Sequence, residues 1–293
     1  MRAGKVSKPR WMTETLHRTI GIETRYEVTK ILQETRTETQ HLVLFENPFF
    51  GTVLMLDGAV QLTLRDEFIY HEMITHVPLL AHGAAARLLI IGGGDGGVAR
   101  EALKHQSLAR ITQVEIDAGV VDFCKKVLPQ VSDGAFDNPR LDLIIGDGAA
   151  FVKNATAEFD VIIVDSTDPV GPGAVLFTSE FYESCAKALA PGGLLITQNG
   201  VPFLQPQEAR STMAAFANIF ADRTLYLATI PTYVGGPMAF GWGTDNGDFR
   251  KCGQDDLEKS FTKIGLNTRY YTPAVHQAAF ALPGYVAALL DEA

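Results

Sequence analysis

Cysteine is scarce in this chain, with three in 293 residues, at positions 124, 185 and 252. They form no Cys-x-x-Cys pair and leave one over, which excludes a disulfide scaffold and points to reduced thiols and a cytoplasmic protein. Long apolar runs are missing too. No window approaches the ~18 uninterrupted apolar residues of a membrane helix, so no membrane span is expected. The start is basic, through Arg2, Lys5, Lys8 and Arg10, but no apolar core follows it, so no export signal is expected either. Paired Cys/His spacings and His-x-x-x-His are absent, and His71 and His76 stand at an uninformative separation, so no metal site is expected. Positive charge is in short supply: 25 Lys and Arg against 34 Asp and Glu give a net charge of −9. Phosphate neutralisation needs clustered basic side chains, so nucleic acid is not an expected partner. An acidic protein suits a cationic small molecule, although solubility alone accounts for such an imbalance in most proteins of this size.

What is present is a pattern of two kinds. Over residues 25–65, short alternating runs such as Gln40-His-Leu-Val-Leu-Phe45 and Thr52-Val-Leu-Met-Leu56 are punctuated by turn residues and read as a small antiparallel β unit. Asp57-Gly58 between two of these runs is the strongest hairpin signal, because both central positions of a tight hairpin turn need positive φ. A helix is expected over residues 66–76, stopping near Pro78. Beyond residue 82, buried-looking runs at 88–91, 111–116, 141–145, 159–164 and 194–198 alternate with helical stretches at 97–104, 118–128, 179–189 and 206–220. Two more runs, at 224–230 and 238–243, suit an antiparallel edge. The class is therefore α/β, with a Rossmann-like, doubly wound, mostly parallel sheet covered by helices on both faces. The boundary falls near residue 80, giving an N-terminal β domain over 1–80 and a Rossmann-like catalytic domain over 81–293.

Gly92-Gly-Gly-Asp-Gly-Gly97 follows the strand Leu88-Leu-Ile-Ile91 and opens a helix, so Gly92, Gly94 and Gly97 fit Gly-x-Gly-x-x-Gly. Glu115 closes the next strand, where an acid accepts both ribose hydroxyls. The pattern alone does not separate a nicotinamide dehydrogenase from an S-adenosyl enzyme. Asp147-Gly148, at the end of the third strand, stands where S-adenosyl enzymes place an acid for the adenine amino group, the plain alternative being a helix N-cap. Asp95 lies inside the glycine loop, the region that receives the donor's amino-acid end in S-adenosylmethionine methyltransferases. A carboxylate there repels the donor's own carboxylate and welcomes a donor that has lost it; an ordinary loop aspartate is the alternative. Asp165 and Asp168 end the fourth strand, at the functional edge of an open parallel sheet. They suit an amine, with magnesium binding or a plain turn as the alternatives.

Asp165-Ser-Thr-Asp-Pro-Val-Gly-Pro172, Gly92-Gly-Gly-Asp-Gly-Gly97, Val114-Glu-Ile-Asp117, Arg65-Asp-Glu-Phe-Ile-Tyr-His-Glu72 and Pro231-Thr-Tyr-Val-Gly-Gly236 together resemble the spermidine synthases, which are polyamine aminopropyltransferases. The likeness runs from Trp11 to about Tyr285. It implies a class I methyltransferase-like fold and transfer of the aminopropyl group of decarboxylated S-adenosylmethionine to putrescine. Decarboxylated S-adenosylmethionine is then a co-substrate, and no cofactor is implied. By resemblance, Asp165 is the proton acceptor, and Tyr70, His71, Asp95, Asp168 and Tyr233 join it around the polyamine. Gln40, Gly92, Gly94, Asp95, Glu115, Asp147, Gly148 and Pro172 are implied around the donor or its product, methylthioadenosine. His71 departs from relatives that carry Gln there, leaving open whether it meets polyamine, donor or only the core. Relatives are usually dimers or tetramers, so a homo-oligomer is implied, paired through the N-terminal β domain. Other acceptors (cadaverine, agmatine, spermidine) and an S-adenosylmethionine-dependent amine N-methyltransferase remain alternatives.

Such a reaction carries a difficulty. An aspartate of pKa ~4 facing an alkylammonium of pKa ~10 accepts its proton uphill by about six units, roughly 8 kcal/mol.

Overall fold

A computed structural model gives the protein over residues 10–37, 39–169 and 171–291, with side chains at all of these except 171 and 172. The basic stretch at residues 1–9 lies outside the described residues. Among the described residues the chain divides into two compact units at Glu67/Phe68, earlier than the boundary near residue 80 that the sequence pattern suggests.

The first unit is all β. Strands β1 (Arg10–Glu14) and β2 (Thr24–Val28) pair antiparallel, and β3 (Lys30–Arg36), β4 (His41–Asn47), β5 (Gly51–Leu56) and β6 (Ala59–Thr63) form an antiparallel meander. Alternation sorts the side chains: Val43, Phe45, Val53, Met55 and Val60 pack with Tyr26 and Val28 on one face. Asp57 (φ 48°) and Gly58 (φ 83°) make the expected tight turn between β5 and β6.

The second unit opens with α1 (Glu67–His82), which runs through Pro78 instead of stopping there. Proline inside a helix costs about 3 kcal/mol. Met73, Ile74, Val77, Leu79 and Leu80 on this helix are all buried, and at roughly 1.5–3 kcal/mol each their burial outweighs that cost. The remaining elements are β7 (Arg87–Gly92), α2 (Gly97–Leu103), β8 (Arg110–Glu115), α3 (Ala118–Val127), α4 (Pro129–Ser132), β9 (Leu141–Ile145), α5 (Gly148–Asn154), β10 (Phe159–Asp165), α6 (Ser179–Ala188), β11 (Leu189–Gln198), α7 (Pro206–Ala217), β12 (Asp222–Ala228), β13 (Met238–Thr244), α8 (Gln254–Ile264), α9 (Pro273–Ala279) and α10 (Gly284–Asp291). The sheet order is β12-β13-β11-β10-β7-β8-β9, parallel except where β13 pairs antiparallel with both β11 and β12. The expected antiparallel edge is therefore present.

Two apolar clusters cover the two faces of this sheet. Leu88, Ile90, Val161, Ile163, Leu194 and Ile196 pack with α1 and α2, while Leu89, Ile91, Ile162, Val164 and Leu195 pack with α5, α6 and α7. Consecutive residues of β7 and β10 thus bury on opposite sides, which is why those strands read as continuous apolar runs. The C-terminal segment is tied to α1 by Glu72, a buried carboxylate that accepts three backbone hydrogen bonds, from Arg269, Tyr270 and Tyr271, each 2.8 Å. Among the described residues no single helix is long and apolar enough to cross a membrane; α9 and α10 pass together only as a bent pair, on length and composition.

Candidate active site

Strand order reverses between β7 and β10, because the chain goes from β7 outward to β8 and β9 and then returns to β10 on the other side. Loops leaving two adjacent parallel strands in opposite directions open a crevice at their carboxyl ends, where open α/β sheets bind ligands. The register pairs Asp165 with Gly92, so the carboxylate strand and the glycine loop end side by side. Gly92 has φ +86°, and a Cβ there would run into the Asp165 carbonyl oxygen, so only glycine permits this approach. Gly93 N–H donates to that same carbonyl at 3.0 Å.

Asp165 Oδ1 accepts a hydrogen bond from Tyr70 Oη at 2.5 Å, a contact between residues 95 apart in sequence. Burial raises the Tyr70 phenol well above its ordinary range, and the negative charge of Asp165 adds to this, so Tyr70 stays protonated as a donor. The Asp165 carboxyl is itself pushed up to about 6, first by burial and then by the charge of Asp95, with His71 and the Tyr70 hydrogen bond pulling the other way. Asp95 moves in the opposite direction. Burial opposes its ionisation, but His71, the Gly97 N–H (2.7 Å) and Arg100 together hold it below the ordinary carboxylate range. Two neighbouring carboxylates whose affinities for protons are driven apart are the pattern expected of an anion that stays charged beside a group that accepts a proton.

The sequence expectations can be placed residue by residue. His71 is buried, with Nε2 3.5 Å from Asp95 Oδ1, and its ring lies directly over the start of α2, so that a Cβ on Gly97 would clash with it. It therefore meets Asp95 within the core. Tyr233 stands edge-on to Tyr70, with ring centroids 6.3 Å apart, and the Gly235 of its loop packs against Leu204. Glu115 is buried at the end of β8, its Oε1 accepting the Asp117 N–H (2.9 Å); burial and then the charges of Asp117 and Asp165 push its carboxyl up to about 7. Gly94 faces Glu115, since a Cβ there would lie 3.0 Å from Oε2. Asp147 caps α5, its Oδ1 accepting from Ala149 N (2.8 Å) and Ala150 N (3.2 Å), with Gly148 as the first residue of that helix. The N-cap alternative therefore describes Oδ1. Asp168 Oδ1 accepts from Gln205 Nε2 at 2.7 Å. Pro172 falls in the turn Gly171–Phe177, and its side chain lies outside the described residues. Gln40 belongs to the first unit, at the β3–β4 hairpin, where its N–H donates to Thr37 Oγ1 (2.9 Å).

Three polar groups were not foreseen. Gln113, buried in β8, donates from Nε2 to the carbonyls of Gly92 (2.9 Å) and Gly93 (2.7 Å) and pins the glycine loop. Its signal was a long amide in the middle of an apolar strand. Gln113 Oε1 and Ser166 Oγ are buried without a partner among the described residues, and such atoms beside a crevice call for a ligand or water. The third group, Gln205 with Glu208 behind Asp168, left no local signal. Among the described residues no group of His, Cys, Asp and Glu is arranged to hold a metal ion.

This sheet order, with an acid-lined crevice at its switch point, defines a Rossmann-like transferase of the class I methyltransferase architecture. The chain belongs to the spermine/spermidine synthase family. Residues 67–251 match the family model described as the spermine/spermidine synthase domain, and residues 10–63 match the spermidine synthase tetramerisation domain. The chain is 58% identical over 281 residues to the polyamine aminopropyltransferase of Ruegeria sp. (strain TM1040), covering 96% of this chain and 98% of that protein. It is 55% identical to polyamine aminopropyltransferase 1 of Pseudomonas aeruginosa over 273 residues, 93% of this chain and 95% of the relative. Among solved structures, a spermidine synthase in complex with the transition state analogue AdoDATO superposes with a TM-score of 0.91 at 35% identity, covering 98% of both chains. Spermidine synthase from Thermotoga maritima gives 0.89 at 35% identity, covering 98% of this chain and 97% of that one.

Proposed function

We propose that this enzyme transfers the aminopropyl group of decarboxylated S-adenosylmethionine to putrescine, giving spermidine, methylthioadenosine and a proton. The observation that carries this reading is the Asp95–Asp165 pair, an anion held charged beside a carboxyl whose proton affinity is raised. The names of its relatives, and the analogue complex of a structural neighbour, support the same chemistry.

A putrescine nitrogen attacks the methylene carbon next to the sulfonium; the C–N bond forms, the C–S bond breaks, and its electron pair neutralises the sulfur as a thioether. The proton shed by nitrogen goes to Asp165. Because burial and the Asp95 charge raise its carboxyl, the transfer from an alkylammonium near ~10 is less steeply uphill than the about six units facing an ordinary aspartate. Tyr70 holds Asp165 Oδ1 and leaves Oδ2 for the amine. Asp95, Asp168 and Tyr233 receive the rest of the polyamine, with His71 acting through Asp95. Glu115, Asp147, Gly148, the glycine loop and Pro172 serve the donor, and Gln40 is assigned to it by family resemblance alone. The sulfonium is already a good leaving group, so positioning two cations and securing one neutral amine are the main tasks, with no resident cofactor required. The protein acts as a homo-oligomer in the cytoplasm.

Product identification tests this reading. Incubation of the protein with decarboxylated donor and each of putrescine, cadaverine, agmatine and spermidine is expected to give methylthioadenosine, fastest with putrescine. Formation of S-adenosylhomocysteine from intact S-adenosylmethionine instead would show methyl transfer, and a faster rate with another amine would reassign the acceptor.

A further inference from the structure

Asp165 is fixed by the end of β10, but Asp168 is three positions beyond it and has no strand to hold it. An amide donates a hydrogen bond to its carboxylate. Gln205 Nε2 donates both to Asp168 Oδ1 (2.7 Å) and to Glu208 Oε1 (2.8 Å). Gln205 Oε1 accepts from the Val201 N–H (3.1 Å), while the Gln205 N–H donates to the Val201 carbonyl (2.8 Å). Both N–H bonds and the carbonyl of this amide are therefore engaged, and the turn that carries it is closed by its backbone as well.

The space around the amide is equally restricted. Gly200, at φ +60°, leaves room that a side chain would take: a Cβ there would lie 2.7 Å from Gln205 Oε1 and 2.8 Å from Glu208 Oε2. Glu208 Oε2 is buried without a partner among the described residues, and burial followed by the charge of Asp168 pushes the Glu208 carboxyl up to about 8. Gln205 thus bridges the Asp168 carboxylate and a Glu208 carboxyl that this shift keeps largely protonated near neutral pH.

We infer that Gln205 is a positioning residue that holds the Asp168 carboxylate at one depth in the acceptor groove and thereby sets the diamine length the enzyme prefers. The inference rests on the proposed role of Asp168 at the end of the amine remote from the reacting carbon. Binding an ammonium to a carboxylate depends on contact distance, and a methylene added to or removed from a diamine displaces the far nitrogen by about an ångström. A pinned carboxylate therefore discriminates between lengths, whereas a freely rotating one follows the ligand.

The test is steady-state kinetics on full-length Gln205→Met, which keeps the side-chain length and removes its hydrogen bonds, and on Gln205→Asn, which keeps the amide but shortens it. Both are expected to raise KM for putrescine about tenfold, the equivalent of one charged hydrogen bond, while KM for the decarboxylated donor stays within about twofold and kcat within about threefold. The ratio of kcat/KM for putrescine to that for cadaverine is expected to fall at least about threefold. An unchanged KM for putrescine in the better-folded variant would overturn the inference, as would a proportionate change in kcat and both KM values, which marks a general structural role. If the wild type forms no spermidine, the proposed function itself fails; if it does and only the variants behave as wild type, this inference alone fails.

Discussion

Asp95 and Asp165 carry the same functional group and are driven to opposite proton affinities by what surrounds them. Burial presses on both, but Asp95 has His71, the Gly97 N–H and Arg100, whereas Asp165 has chiefly the Asp95 charge facing it. The two therefore titrate as a pair, with the upper step centred on Asp165. Since a raised pKa means that Asp165 is protonated at low pH and accepts protons only above about 6, kcat/KM is expected to rise with pH through that region. Asp95→Asn removes the second-largest cause of the shift while leaving burial in place. The acidic limb of the pH profile, recorded from pH ~5 to ~9, is expected to move down by about 0.5–1 unit, alongside weaker amine binding. An acidic limb that stays where it is in the wild type would show that Asp95 does not tune Asp165.

At the scale of elements, legibility followed the range of the interaction. Residues 141–145 form the strand that their pattern predicts, β7 extends the expected run by one residue at each end and β10 by one at its carboxyl end, because continuous apolar stretches in a doubly covered sheet are a local signal. Asp57-Gly58 was equally plain, since turn chemistry is written in two residues. The acids at the strand ends, Glu115 and Asp165, and Asp95 in the glycine loop were legible for the same reason. Where tertiary packing overrode local rules, the sequence misled. Helix α1 passes Pro78 because its neighbours are buried, and β11 begins at Leu189, ahead of Pro191-Gly-Gly193, because Leu189 pairs with Phe159. The sequence pattern does not predict helices α4, α5, α8, α9 and α10, although Leu257, Phe261 and Ile264 on α8 stand at helical spacing and pack together into the core. Contacts such as Tyr70–Asp165 and Gln205–Asp168 join distant segments and exist only once the sheet is assembled.

The whole molecule combines a net charge of −9 with an acid-lined crevice, and the two have different causes. A net charge of this size favours solubility in general; the crevice acids are partly buried, at the expense of stability, and are intelligible only if a cation offsets them. The N-terminal β unit has a separate task. As the segment that matches a tetramerisation domain in relatives, it is expected to join copies of the chain, so light scattering at micromolar concentration should give a multiple of 31.9 kDa, and a particle of monomer mass would refute the assignment. The central claim, aminopropyl transfer with Asp165 as proton acceptor, is tested most directly by the single-turnover rate of Asp165→Asn with saturating decarboxylated donor and putrescine. The rate of spermidine formation is expected to fall by about 10²–10⁴ relative to wild type, and a rate within about threefold would contradict the claim.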